Sequence, residues 1–195
     1  MITSSQLLLK RSFDLLLAIL LLPILIVPIL ILVLLSTFDT KQFGLFAQIR
    51  VGQHGKLFRI LKIRTLKKEP HHLGSLHLSA TRFGAFLRKH KFDELPQLFN
   101  VLFGQMSFVG PRPDVQGFAD VLQGEDRVIL LVKPGITGPA TLKYKNEDLI
   151  LSQQDNPEMY NRTIIWPDKV QINKKYVMDY SFYLDLQHII KSIYQ

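Results

Sequence analysis

Phe92-Asp93-Glu94-Leu95-Pro96-Gln97-Leu98-Phe99-Asn100-Val101-Leu102-Phe103-Gly104, followed by Ser107-Phe108-Val109-Gly110-Pro111-Arg112-Pro113, is the stretch on which the reading of this chain turns. Two adjacent carboxylates stand where a helix is expected to begin, and an arginine framed by prolines comes after it. Leu95, Leu98, Phe99 and Leu102 fall at i, i+3, i+4 and i+7, which makes an apolar helical stripe directly behind the acids. Asp93 is the expected N-cap. Pro96 fits the first turn, because the amide it lacks would have no helical partner there, and Gly104 suits the C-terminal stop. The positive end of the helix dipole would then face the acids and favour ionised carboxylate by about 0.3 to 1 kcal/mol. That keeps Asp93 charged and available as a nucleophile or metal ligand. On local grounds alone an Asp-Glu step at a helix start is ordinary capping, so the chemistry has to be argued from the rest of the chain.

Well before that stretch, residues 15–35 contain only Leu, Ile, Val, Ala and two prolines. At about 1.5 Å per residue a helix of this length reaches about 30 Å, the thickness of a bilayer core. A cleaved signal peptide does not fit, since the run is too long and no small-x-small site follows it. Pro23 and Pro28 each remove an amide hydrogen bond and bend the helix. Lys10 and Arg11 precede the run, while Lys41 and Arg50 follow it. Basic residues prefer the cytoplasmic side, so flanks of one sign at both ends fit a helix that enters, breaks at proline and returns to the same face. A kinked span is the alternative, because prolines also occur in spanning helices.

The chain has 195 residues, which leaves room for one membrane element, residues 1–40, and one modest globular domain, residues 41–195. Cysteine is absent, which excludes disulfides, thiolate zinc sites and a cysteine nucleophile. The net charge of +8 is uneven: residues 41–91 hold twelve Lys and Arg against the single acid Glu69, and residues 92–195 hold ten against thirteen. A basic block of this kind implies an anionic partner such as a phosphate-bearing substrate, nucleic acid or lipid headgroups. No nucleic-acid recognition module is recognisable, so nucleic acid is not expected as a partner.

Residues 48–65 read as a hairpin around the turn Gly52-Gln53-His54-Gly55, and period two places Phe58, Ile60, Lys62 and Arg64 on one face of the return strand. Two cations are thus expected to project together. Residues 67–79 carry His71, His72 and His77 without an apolar period or an acidic companion at ligand spacing, which predicts a mobile surface loop and no metal site. Residues 81–91 mix Phe83, Phe86 and Leu87 with Arg82, Arg88, Lys89 and Lys91, a short basic amphipathic helix suited to a lipid interface or to a core. Residues 114–131 look helical with acids outward, and Lys133-Pro134-Gly135-Ile136-Thr137-Gly138-Pro139 predicts a rigid loop. Residues 149–161 and 169–195 read as helices separated by Trp166-Pro167-Asp168. The fold class expected is α+β, mostly helical: a monotopic membrane protein with a proline-broken re-entrant helix, a small β-hairpin and interfacial amphipathic helices.

Taken together these stretches resemble the bacterial sugar transferases, small monotopic phosphoglycosyl transferases that start glycan assembly on a polyprenyl phosphate. The resemblance runs through Lys10-Arg11-Ser12-Phe13-Asp14, Arg50-Val51-Gly52, Phe58 with Lys62-Ile63-Arg64-Thr65, and Arg82-Phe83-Gly84 with Arg88. It continues through Asp93-Glu94-Leu95-Pro96-Gln97-Leu98-Phe99-Asn100-Val101, Met106 to Pro113, Pro134-Gly135-Ile136-Thr137-Gly138, and Tyr180-Ser181-Phe182 with Asp185. It implies transfer of sugar 1-phosphate from a nucleotide diphosphate sugar, usually a UDP-sugar, to undecaprenyl phosphate at the cytoplasmic face of the bacterial inner membrane, among membrane lipid.

By the same resemblance Asp93 is the nucleophile that forms an acyl phosphate, and Glu94 assists it and helps bind Mg2+, with Asp93 and Glu94 as the metal-side carboxylates. Arg112 between Pro111 and Pro113 looks like the family's phosphate-binding arginine, and Lys62, Arg64 and Arg88 add positive charge. Pro23 or Pro28 would carry the membrane hinge, here without a preceding serine. The chain departs from the family pattern where Pro139-Ala140-Thr141 replaces a common Trp-Ala-Gln, and where Asn173 stands in place of a common Asp. The competing class is a non-enzymatic membrane-surface adaptor, whose basic block binds anionic lipid and whose carboxylates cap a helix.

Overall fold

The computed structural model describes residues 1–68, 74 and 76–194. The long apolar run lies inside helix α1, Ser4–Thr40, with Pro23 and Pro28 both within it. Thr3 opens the helix with a reciprocal cap: its hydroxyl accepts the Gln6 amide while its own amide donates to Gln6 Oε1 at 2.8 Å. Lys41 closes it in the left-handed region. The middle of α1 leaves its apolar side chains uncovered, Leu16, Ile24 and Leu30 among them, so α1 is long and apolar enough to cross a membrane.

Both ends of α1 rest on the remainder of the protein. Near its start Lys10 forms a buried pair with Asp185 at 2.6 Å, and Asp14 Oδ1 accepts the Ser107 hydroxyl and the Phe108 amide, each at 3.0 Å. Near its end the Ser36 hydroxyl donates to the Arg64 carbonyl, Thr37 accepts the Gly44 amide at 2.8 Å, and Asp39 accepts the Thr81 hydroxyl.

The hairpin follows as β1, Leu45–Val51, paired antiparallel with β2, Leu57–Ile63, in the register Gln48↔Ile60 and Arg50↔Phe58. Gly52 to Lys56 turns the chain between them as expected. Arg64 lies one residue beyond β2, and its Nε donates to the Phe43 carbonyl at 2.9 Å while its guanidinium covers the Phe46 ring. Lys62 and Arg64 therefore part company, because the strand's alternation ends between them. The expectation for His71 and His72 falls outside the described residues; the described neighbourhood includes α2, Leu76–Ser79, and a bridge from Leu66 to Ala80.

The basic amphipathic segment forms α3, Arg82–Lys89, capped by the Thr81 hydroxyl on the Gly84 amide. A Cβ at Gly84 would lie 2.1 Å from the Thr65 carbonyl oxygen, so α3 docks against the strand exit through bare backbone. After α3 the acids do not cap a helix. Lys91 turns left-handed and Phe92–Glu94 forms a 3-10 turn; α4 is Gln97–Leu102, with Pro96 in the cap position. Lys91 takes positive φ ahead of Asp93 and Glu94, both of which are buried, and Glu94 bonds to Lys62 and Arg112. Gly104 stops the segment at positive φ, as its position predicts. Arg11 reaches across from α1 to the Val101 and Leu102 carbonyls at 2.6 and 3.0 Å, at the negative end of α4.

Strand β3, Ser107–Val109, pairs in parallel with β4, Gly135–Thr137, so the expected rigid loop contains a strand. Gly110, Gly135 and Gly138 make the pairing this close. A Cβ on Gly135 would sit 2.1 Å from the Gly110 nitrogen, and one on Gly138 would sit 2.2 Å from the Gly110 oxygen. The expected helix over residues 114–131 is replaced by two 3-10 segments, Ala119–Val121 and Gly124–Leu131, because Gly117 and Gly124 take positive φ and break the helical path.

Beyond β4 come α5, Pro139–Lys143, α6, Glu147–Ser152, and α7, Pro157–Tyr160. A π-turn then leads into α8, Trp166–Met178, and α9, Phe182–Tyr194, ends the description. Trp166-Pro167-Asp168 starts α8 instead of separating two helices, since proline in a first turn loses no hydrogen bond. The actual break falls between Met178 and Phe182. Ile2, Val109, Val132, Tyr176, Val177 and Tyr180 form the apolar cluster that locks the N-terminus and β3 onto α8. Each large side chain buried in this way contributes about 1.5 to 3 kcal/mol.

Candidate active site

Four elements deliver the candidate residues to one place. The 3-10 turn brings Asp93 and Glu94, β2 brings Lys62, the segment after β3 brings Arg112, and α3 brings Arg88. Glu94 Oε1 accepts from Lys62 Nζ at 3.0 Å and from Arg112 at 2.8 Å, so one carboxylate oxygen ties β2 to the Pro111-Arg112-Pro113 segment. Buried prolines flank Arg112, and the Pro111 carbonyl accepts the Gly135 amide at 2.8 Å. The guanidinium is thereby presented from a fixed backbone.

Asp93 is only 6% exposed, and its Oδ1 has no hydrogen-bond partner. It borders a cavity of about 400 Å3 together with Lys62, Glu94, Arg88, Lys91 and Arg112. Burial pushes its carboxyl above the ordinary aspartate range, Glu94 adds to that, and Lys62, Arg88 and Lys91 oppose it. The expectation that a helix dipole sets the charge of Asp93 is thus corrected: burial dominates. Burial alone would push Glu94 up as well, but Arg112 and then Lys62 outweigh it and hold Glu94 well below the usual carboxylate range. Burial lowers Lys62, with Glu94 opposing, while Glu94 raises Arg112. Two adjacent carboxylates are therefore driven apart, one firmly ionised and one kept basic.

Asn100 is a positioning residue that the sequence reading passed over. It sits on α4, is 1% exposed, and its Oδ1 accepts the Leu61 amide at 3.0 Å while Nδ2 donates to the Arg59 carbonyl at 2.8 Å. It clasps β2 on both sides of Ile60 and so holds Lys62 over the acids. The available signal was a polar residue interrupting an apolar helix.

A second cavity of about 510 Å3 adjoins the first and shares Arg88, Lys91 and Arg112 with it. Thr141 and Asn173, the two departures from the family pattern, both line it. So does Asp114, which the helical reading had facing outward; burial pushes its carboxyl up to about 6, against Lys169 and Arg50. Arg64 borders neither cavity, and Pro23 and Pro28 lie in α1. Among the described residues no group of three or more His, Cys, Asp or Glu gathers as a ready-made metal cluster.

A buried acid with an unpartnered oxygen thus borders a polar cleft together with Lys62, Arg88, Lys91 and Arg112. The chain belongs to the bacterial sugar transferase family, whose model matches residues 5–195. It is 36% identical over 184 residues to the sugar transferase EpsL of Bacillus subtilis (strain 168), covering 93% of this chain and 83% of that one. It is 30% identical over 193 residues to a UDP-N-acetylgalactosamine-undecaprenyl-phosphate N-acetylgalactosaminephosphotransferase of Aeromonas hydrophila, covering 95% of this chain and 43% of the longer relative. A UDP-glucose:undecaprenyl-phosphate glucose-1-phosphate transferase of Klebsiella pneumoniae is 31% identical over 161 residues, 77% of this chain and 32% of its own length. The non-enzymatic adaptor reading is overturned by this membership.

Proposed function

We propose that the chain transfers sugar 1-phosphate from a UDP-sugar to undecaprenyl phosphate and so starts assembly of a cell-surface glycan. The observation that carries the proposal is buried Asp93, with one oxygen unpartnered, bordering a cation-lined cavity. Asp93 attacks the sugar-bearing phosphorus, the bond to the UMP oxygen breaks, and UMP leaves with the electron pair. An oxygen of undecaprenyl phosphate then attacks the same phosphorus, the acyl phosphate opens, and the carboxylate is restored. Arg112 and Lys62 balance charge on the phosphoryl oxygens, with Arg88 at the cavity rim. Glu94, held ionised, keeps Lys62 and Arg112 in register.

Asp93 and Glu94 would hold Mg2+, which takes one or two carboxylates and completes its shell with substrate phosphates and water. The spare Asp93 oxygen fits that donor set. When bound, Mg2+ neutralises diphosphate charge. The direct test is intact mass spectrometry of protein quenched after exposure to donor and Mg2+ without acceptor. An adduct equal to a phosphosugar is expected; its repeated absence from a preparation that turns over would overturn the covalent route.

The same proposal places the protein on the cytoplasmic face of the bacterial inner membrane, with α1 entering and leaving by one face. In support, a straight helix would carry Ser36 about 27 Å from Ala18. Ala18 shares a buried cluster with Ile60 while Ser36 bonds the Arg64 carbonyl, two points about 13 Å apart along an extended strand. Pro23 and Pro28 lie between Ala18 and Ser36 and supply the bend. Single cysteines introduced at Thr3 and Tyr194 should both resist an impermeant thiol reagent in intact cells and react after lysis. Labelling of one end alone would establish a spanning helix.

A further inference from the structure

We infer that Asn173 and Thr141 read the hexose of the donor, an assignment that rests on the proposed reaction and adds the location of its sugar pocket. Asn173, on α8, is 4% exposed, lines the 510 Å3 cavity and leaves Oδ1 without a hydrogen bond. Thr141, on α5, lines the same cavity with its hydroxyl unpartnered, and Arg50 contributes an unpartnered Nε there. A buried polar atom without a partner is costly, and native proteins leave few of them. One acceptor, one donor and one group that does both thus lie buried and unpartnered in the wall of a space that shares Arg112 with the cavity of the acids.

The chemistry of the walls selects among the parts of a nucleotide sugar. Asp114, Glu147 and Glu158 line this cavity beside Arg50, Arg162 and Lys169, and Glu147 is paired with Lys169 at 2.6 Å, so its own charge is mixed, while Arg88, Lys91 and Arg112, shared with the first cavity, concentrate positive charge at one edge. The diphosphate belongs at the shared rim, where Arg88 and Arg112 stand. A uracil ring would need an open aromatic face. Phe118 is already covered by the Arg162 guanidinium at 4.9 Å, the Tyr144 ring has Lys143 and Lys169 within 5.5 and 5.7 Å, and the Trp166 ring meets Phe118 edge to face at 5.3 Å. A hexose instead presents several hydroxyls, each both donor and acceptor, which matches the unpartnered set and the nearby carboxylates.

The test uses the full-length protein and four donors, the UDP-linked forms of glucose, galactose and their 2-acetamido counterparts. UMP release gives kcat/KM for each donor with wild type, Thr141→Val and Asn173→Asp, and competition by UDP reports the nucleotide half alone. Both substitutions preserve shape while changing hydrogen bonding. Expected is a change of about 10-fold or more in the ratio between the two best donors, with the UDP inhibition constant held within about 2-fold. An unchanged donor ratio in both variants would refute the assignment. Weakening of UDP by the same factor as every donor would place uridine there instead.

If wild type turns over none of the four, the parent reaction fails by itself. The sugar pocket is then judged by calorimetric binding of the UDP-hexoses against UDP. The hexose must add affinity that Asn173→Asp or Thr141→Val removes, and equal binding of UDP and UDP-hexose would overturn it.

Discussion

Asp93→Asn should fold, retain donor binding and lose transfer by at least about 10³-fold, because an amide is not a nucleophile toward phosphorus. Asp155→Asn, an exposed change outside both cavities, should leave transfer unaltered. The wild-type rate should fall in acid as Asp93 is protonated, at a pH above the ordinary aspartate range because burial raises its carboxyl. Glu94 stays ionised through that window and adds no acidic limb of its own.

Stability should move the opposite way to activity. A carboxyl raised on folding binds its proton more tightly in the native state, so its contribution is full below the unfolded-state value and is lost as pH rises through the folded-state value. At neutral pH the ionised, buried Asp93 is therefore a destabilising group, and Asp93→Asn should melt higher than wild type. The gap should close in acid. Thermal melts at two pH values check this, and a variant that melts lower than wild type at neutral pH would contradict it.

Arg112→Ala should lower kcat/KM on the order of 10² to 10³-fold, the usual cost of removing one preorganised donor from a developing anion. Arg112→Lys keeps the charge but loses the planar fork, so it should restore only part of that loss. Full activity in the lysine variant would mean that Arg112 acts as a point charge and not as a shaped contact. Stability should fall as well, because Arg112 is the main cation holding buried Glu94 ionised, with Lys62 left to limit the loss. Donor kinetics together with a melting curve separate the two effects.

The parts legible in the sequence are those whose information is local. The hairpin follows from alternation and its glycine turn, α3 from its amphipathic spacing, and the end of α4 from Gly104. The inward turn of Asp93 was not legible, since it depends on Lys91 adopting positive φ and on cations supplied by β2 and Arg112. β4 was hidden because a three-residue parallel strand exists only by virtue of β3, and its sequence alone carries loop residues. Asn100 was missed for a related reason: its partners, Arg59 and Leu61, lie on β2, some forty positions earlier. Arg64 failed in the opposite sense, as strand periodicity was extended one residue past the strand.

Gly110, Gly135 and Gly138 bring the segment bearing Arg112 into close main-chain contact with β4 and the residue before α5. Helix α5, which carries Thr141, begins immediately afterwards. Substitutions of α5 side chains leave that main-chain contact in place. Such an arrangement lets natural variation or directed evolution retune which saccharide is accepted while the reacting centre keeps its alignment.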